Sequence, residues 1–159
     1  MSGARTITLH DEAATLALGA ALASVVGPGL IRLEGELGAG KTCLVRGLLR
    51  GLGYQGRVKS PTYTLIEPYS LTQLNVSHWD LYRLGAPDEL EALGLREHDR
   101  NAELLLVEWP ERGGELLRNA DLTIRIDYAE NGRSARLTPE SDLGRHWVEA
   151  IADLQPDVT

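Results

Sequence analysis

Apolar positions along the chain recur at two different spacings, and the changes between them lay out a succession of helices and strands. From Asp11 to Val26, Ala14, Leu18, Ala21, Leu22 and Val25 fall at helical spacing, with Asp11 placed to cap the first turn. Gly27-Pro28-Gly29 stops that helix, and "LIRLE", Leu30 to Glu34, reads as a short buried strand. A second helix is expected from about Thr42 to Leu52, ended by Gly53. "TLIEPY" and "LNVSHWD" read as two strands joined by a turn near Leu71 to Gln73. "PDELEALGL" opens a helix with Pro87 or Asp88 near its N-terminus. "ELLLVEW", Glu103 to Trp109, is a continuous apolar run of the kind that fills the centre of a parallel sheet. "DLTIRIDYA" alternates strictly, as a half-covered strand does, and "SARLTPE" follows it after a hairpin turn expected at Asn131-Gly132. Ser141 to Leu154 is the last helix. This alternation predicts an α/β fold: a mixed, mostly parallel sheet flanked by helices, three layers in all, within one domain over residues 1–159.

Composition narrows the function classes. No apolar run approaches the ~20 residues that span a bilayer, so no membrane role is expected. The start, "MSGARTITLH", has no hydrophobic signal core, which points to a cytoplasmic location. Cys43 is the only cysteine, so an intramolecular disulfide and a Cys-rich zinc site are excluded. Net charge is −7, without the global basic footprint of a protein that grips nucleic acid alone. The charge is uneven, however. Leu37 to Ile66 has no Asp or Glu but carries Lys41, Arg46, Arg50, Arg57 and Lys59, a local +5 that leaves −12 for the remainder (−7 minus 5). Such a segment is either a solvated basic helix face or a positive surface around an anion site.

The motif inside that segment favours the anion. Gly35-Glu36-Leu37-Gly38-Ala39-Gly40-Lys41-Thr42 matches G-x-x-x-x-G-K-[ST] at every fixed position, with a strand before it and a helix after it. Glycines permit tight backbone angles and close approach of phosphate. Successive N–H groups at the helix start then form a nest for anions. Lys41 can reach the β- and γ-phosphates of a nucleoside triphosphate, and Thr42 can offer its hydroxyl to Mg²⁺. The alternative, a glycine-rich turn with a surface lysine, does not account for the flanking elements. Cys43 reads as a packed small residue rather than a reactive thiol, although a helix N-terminus can lower a thiol pKa.

An enzyme of this kind needs a carboxylate near Mg²⁺, usually at the C-terminal end of a strand. Asp80 ends "NVSHWD" and Glu108 ends "LLLVE". Glu108 is expected nearer the metal, with Asp80 in its water shell or orienting the attacking water. Trp109 could stack on a base, support the loop or pack in the core. His78 and Trp79 flank Asp80 and read as structural, and Arg133 by pattern alone is a solvated loop residue. "KSPTYTL", Lys59 to Leu65, places four hydroxyls (Ser60, Thr62, Tyr63 and Thr64) where switch segments commonly sit, with Thr62 best placed to respond to a γ-phosphate or Mg²⁺. Tyr63 and Leu65 alternate with Thr62 and Thr64, so this loop is expected to run straight into a strand.

"GELGAGKT", "KSPTYTLIEPY", "HWDLYRL" and "VEWPE", in this order, closely resemble the TsaE (YjeE) family of bacterial P-loop ATPases. The likeness runs over nearly the whole chain. Two departures are small: the family often has a second Thr at the place of Cys43, and commonly Phe at that of Trp79. The resemblance implies a P-loop NTPase-like fold and weak, partner-stimulated hydrolysis of ATP to ADP with Mg²⁺. It implies a role in making threonylcarbamoyladenosine in tRNA, with TsaD and TsaB as partners and tRNA met indirectly through their complex. By the same resemblance Leu37, Gly38, Ala39, Gly40, Lys41 and Thr42 would hold the phosphates, and Thr42 and Glu108 would be linked to Mg²⁺. Asp80 would be the other essential acid, and Thr62 would belong to the switch-like loop. Glu108, Trp109, Pro110 and Glu111 would line the nucleotide, and Arg133 would lie near its base or ribose.

Rival readings are a small P-loop kinase and an assembly factor whose hydrolysis is incidental. A kinase usually carries an arginine-rich lid, and no such segment is present. A GTPase lacks support because no N-K-x-D-type stretch occurs.

Overall fold

Among the residues described by the computed structural model, 3–36, 38–61, 64–92 and 103–154, seven extended segments join one mixed sheet. In chain order they are β1 (Arg5–Leu9), β2 (Gly29–Glu34), β3 (Ile66–Ser70), β4 (Asn75–Asp80), β5 (Leu104–Glu108), β6 (Leu122–Ala129) and β7 (Gly132–Pro139). Their order across the sheet is β1-β7-β6-β2-β5-β4-β3. The four central strands, β6, β2, β5 and β4, are parallel. Antiparallel pairs flank them: β6 with β7 and β7 with β1 on one side, β4 with β3 on the other. The helices are α1 (Glu12–Ala23), α2 (Lys41–Gly51), α3 (Glu89–Ala92) and α4 (Asp142–Leu154), and a 3-10 turn spans Pro110–Leu116.

Strand alternation divides the core in two. Ile31 and Leu33 of β2, Val76 of β4, Leu104 and Leu106 of β5, and Ile124 and Ile126 of β6 meet Leu18 and Leu22 of α1, Leu44, Leu48 and Leu49 of α2, and Trp147 and Ile151 of α4. Leu30, Trp79, Leu105 and Val107 point the other way, into a smaller core closed by Leu81, Leu84 and Leu117. The same parity sends His78, Asp80 and Glu108 to the first face, at the carboxyl ends of β4 and β5, where α2 begins.

The fold class agrees with the sequence pattern, and the differences are local. β1 was not expected. α1 stops at Ala23, where Ser24 turns its hydroxyl and its N–H back onto the Ala21 carbonyl, instead of continuing to Val26. The hairpin turn falls on Glu130 and Asn131, because Gly132 already pairs with Ala129 in the β6–β7 ladder. Gly132 serves another purpose: its φ is 132°, and a Cβ there would collide with the carbonyl oxygens of Leu9 and His10. Leu65 takes a left-handed φ of 70°, so the chain kinks into β3 rather than running straight. Trp109 likewise leaves the β5 strand at φ 54°. The helix expected from "PDELEALGL" is seen over Glu89–Ala92, and its continuation from Leu93 lies outside the described residues.

α1 and α2 approach closely where both carry glycine. A Cβ on Gly47 would meet the Leu16 carbonyl oxygen, and one on Gly19 would lie 2.5 Å from that of Leu44. Gly47→Ala is therefore expected to push α1 off the helix that carries the glycine-rich loop. Overpacking of this kind costs about 1–3 kcal/mol. In a domain of this length that lowers Tm by roughly 2–4 °C per kcal/mol, to be read by thermal melting.

Candidate phosphate-binding site

β2 delivers the chain to Gly35 and α2 collects it at Lys41. Gly35 has φ 141°, and the Ile126 carbonyl oxygen occupies the space a Cβ would need, so only glycine makes this turn without strain. Gly40, at φ 117°, is the N-cap of α2, so the unpaired N–H groups of the helix start open onto the loop. Lys41 is only 5% exposed. Its Nζ donates to the Gly35 carbonyl at 2.5 Å, lies 3.7 Å from Glu108 Oε1 and stands 4.8 Å above the Trp109 ring. The ammonium is thus held at the mouth of the loop by a carbonyl, a carboxylate and an aromatic face.

Asp80 and Glu108 are direct register partners on the adjacent parallel strands β4 and β5. Two carboxylates side by side repel one another, and each takes a different partner. Glu108 bends back so that Oε2 sits 2.6 Å from His78 Nε2. Asp80 Oδ1 instead accepts the Tyr82 N–H at 3.0 Å. Burial holds the Asp80 carboxyl above the usual carboxylate range. The Tyr82 N–H opposes this, the Glu108 charge adds to it, and His78 and Lys41 pull it back down. Burial, followed by the Glu12 charge, also pushes the Cys43 thiol up, in keeping with a packed residue rather than a nucleophile.

Three cavities border the loop. The first, about 250 Å³, is lined by Gly38, Gly40, Lys41, Thr42, Cys43, Ser60, Asp80 and Glu108. The second, about 390 Å³, continues past Gly38, Ala39 and Gly40 to His10, Asp11, Thr15 and Arg133. The third, about 320 Å³, lies on the other side of Lys41, against Glu36, Trp109, Pro110, Glu111 and Arg125. The structure therefore gathers Lys41, Thr42, Asp80 and Glu108 in one cavity. It places Arg133 along the loop on one side, and Trp109, Pro110 and Glu111 behind Lys41 on the other. Trp109 is half-buried against the smaller core, with its ring 5.0 Å from that of Tyr82. Leu37, Thr62 and Tyr63 lie outside the described residues.

The basic segment divides as well. Arg46 pairs with Glu12 at 3.7 Å, and Arg50 donates to the carbonyls of Tyr54 and Gly56. Of these cations Lys41 borders the first and third cavities. Sequence reading missed His10, Asp11 and Thr15 as cavity residues because it missed β1. Pairing of Leu9 with Arg133 across β1 and β7 is what brings the start of α1 to the loop. Ser60 was noted only as one of several hydroxyls, yet it faces the two acids.

Sheet order, loop and acid pair define a P-loop NTPase-like α/β domain. Comparison with known proteins then assigns the lineage: a family model described as threonylcarbamoyl adenosine biosynthesis protein TsaE matches residues 9–136, and the chain belongs to the TsaE family. The tRNA threonylcarbamoyladenosine biosynthesis protein TsaE of Haemophilus influenzae is 44% identical over 124 residues, covering 78% of each chain. Its counterpart in Streptomyces coelicolor is 40% identical over 139 residues, 84% of this chain and 93% of that one. The crystal structure of Bacillus subtilis YdiB superposes with a TM-score of 0.78 at 27% identity, covering 96% of this chain and 95% of that one. Among the described residues no helix is long and apolar enough to cross a membrane.

Proposed function

We propose that the chain is a cytoplasmic, Mg²⁺-dependent ATPase subunit in the synthesis of tRNA threonylcarbamoyladenosine, acting with TsaD and TsaB and meeting tRNA through them. The observation that carries the reading is the cavity in which Lys41 and Thr42 of the glycine loop face Asp80 and Glu108. Among the described residues no three His, Cys, Asp or Glu side chains cluster as a metal site. A hydroxyl with a nearby carboxylate suits a hard cation that takes its remaining ligands from phosphate and water. The donor set therefore fits Mg²⁺, with Thr42 and Glu108 as its protein groups and Asp80 reaching it through water or orienting the attacking water. Bound there, Mg²⁺ would neutralise charge on the β- and γ-phosphates.

Gly38, Ala39, Gly40 and the start of α2 would cradle the phosphates, and Lys41 would transfer its ammonium from the Gly35 carbonyl to them. The base and ribose would lie toward Arg133, whose guanidinium already stacks 4.2 Å over Tyr128. Trp109, Pro110 and Glu111 would close the far side of Lys41. Leu37 and Thr62 complete the proposed set as loop contacts to phosphate. An acidic protein with few cations to spare gains its place on tRNA from partners rather than from direct grip.

The deciding experiment measures ATP hydrolysis by the chain alone and with TsaD, TsaB and tRNA, with and without EDTA. Weak basal hydrolysis, lost with EDTA and raised by the partners, is expected. No stimulation by the partners, or phosphoryl transfer to a small acceptor in their absence, would overturn the reading.

A further inference from the structure

We propose that His78 is a positioning residue for Glu108: it turns that carboxylate away from Asp80 and sets it for the metal side of the site. The inference rests on the reading above and adds a residue to it. His78 lies in the middle of β4, between β5 and the edge strand β3, fully buried, two residues before Asp80 and on the same face. Sheet register sets Glu108 beside Asp80, not beside His78. The carboxylate nonetheless folds back along the strand to place Oε2 2.6 Å from His78 Nε2. Facing a carboxylate, Nε2 is the ring nitrogen that donates, and it donates to Glu108 Oε2. The other oxygen of Glu108 looks toward Lys41 at 3.7 Å. Both oxygens are therefore oriented before any ligand arrives, while Asp80 keeps its separate contact with the Tyr82 N–H.

The far side of the ring argues against a role in packing alone. His78 Nδ1 is buried and has no hydrogen-bond partner among the described residues. Buried polar atoms are normally satisfied, and an apolar residue of similar size would fill the same volume without that cost. Among the described residues the one hydrogen bond of the imidazole is the short one to Glu108. Without it, the freed carboxylate could close on Lys41, competing with phosphate for the ammonium, or swing toward Asp80 and raise the repulsion the register imposes.

Two substitutions separate this role from packing. His78→Gln keeps an N–H donor near the Nε2 position, whereas His78→Asn moves the amide to the Nδ1 position, out of reach of Glu108. The readouts are kcat for ATP and the dissociation constant of a fluorescent ADP analogue with and without Mg²⁺, with melting curves to confirm folding. For His78→Asn we expect kcat to fall by about 10–100-fold, and the gain in ADP affinity on adding Mg²⁺ to be lost, while Mg²⁺-free ADP affinity stays within about threefold. His78→Gln is expected to recover most of both. Equal behaviour of the two variants, or a loss confined to Mg²⁺-free affinity, would overturn the proposal. If wild-type protein shows neither hydrolysis nor a Mg²⁺ effect on ADP binding, the ATPase reading itself fails, and that outcome is distinct from equality of the variants.

Discussion

Replacing Lys41 with alanine is expected to cut ATP hydrolysis by about 10²–10³-fold, the cost of removing one preorganised donor from developing negative charge. Nucleotide affinity is expected to fall with it, because the ammonium borders both the cavity of the two acids and the cavity against Trp109. The side chain is held by partners it can exchange: the Gly35 carbonyl at 2.5 Å and Glu108 at 3.7 Å. A phosphate would replace the carbonyl and leave the carboxylate partnership to be shared with the metal. Removing Lys41 has a second consequence, on stability. Glu108 is 4% exposed and, among the described residues, would keep His78 as its remaining partner. Breaking a buried pair from one side is destabilising, by about 3–5 kcal/mol in closed interiors, and by less here because the cavity can admit water. Adding Glu108→Gln to Lys41→Ala removes the stranded charge, so the double variant is expected to melt above the single one while remaining inactive. Hydrolysis by Lys41→Ala within a few-fold of wild type would rule out a phosphate role for this lysine.

The parts of the site that the sequence made legible share one property: their geometry is set by neighbours in the chain. Gly35 to Thr42 could be placed because strand, loop and helix are contiguous, and the required φ at Gly35 and Gly40 belongs to those residues themselves. Asp80 and Glu108 could be placed because each ends a strand, Glu108 an apolar one and Asp80 a more polar one. What stayed hidden depends on pairing across long separations. β1 has only Ile7 and Leu9 as buried apolar positions among Arg and Thr, and it becomes a strand by lying on β7, more than 120 residues later. With it went the cavity of His10, Asp11, Thr15 and Arg133. The left-handed turns at Leu65 and Trp109 were illegible for a related reason. Neither is glycine, so nothing local announces a positive φ; the surrounding packing imposes it. Trp109 is turned out of β5 in a way that sets its ring under Lys41. His78 was read as structural because one histidine on a strand usually is, and only the backward bend of Glu108 shows its contact.

Asp80→Asn is expected to give a protein that is more stable and nearly inactive. In the folded chain burial raises the Asp80 pKa above its ordinary 3.8, with the Glu108 charge adding to the effect. The folded state therefore holds this proton more tightly than the unfolded state does. Stability from the group is present in full below the ordinary carboxylate pKa, is lost as pH rises through the raised value, and is absent at neutral pH. Asparagine keeps an acceptor for the Tyr82 N–H and carries no charge to desolvate. In nucleotide-free, Mg²⁺-free protein the variant is expected to melt roughly 2–4 °C above wild type at pH 7, the shift that about 1 kcal/mol gives in a domain of this length. The gap is expected to narrow as pH falls through the raised Asp80 value, where wild-type Asp80 takes up its proton too. Hydrolysis is expected to drop by about 10²-fold or more, because the amide cannot accept a proton from the attacking water or hold the metal's hydration shell as a carboxylate does. A variant that melts below wild type at pH 7 and equals it below the raised Asp80 value would show that Asp80 is a stabilising partner and not a strained one. The opposite pattern is the signature of a site kept charged for chemistry at the expense of the fold. It would explain why β4 and β5 set two acids side by side where a neutral pair would hold the sheet better.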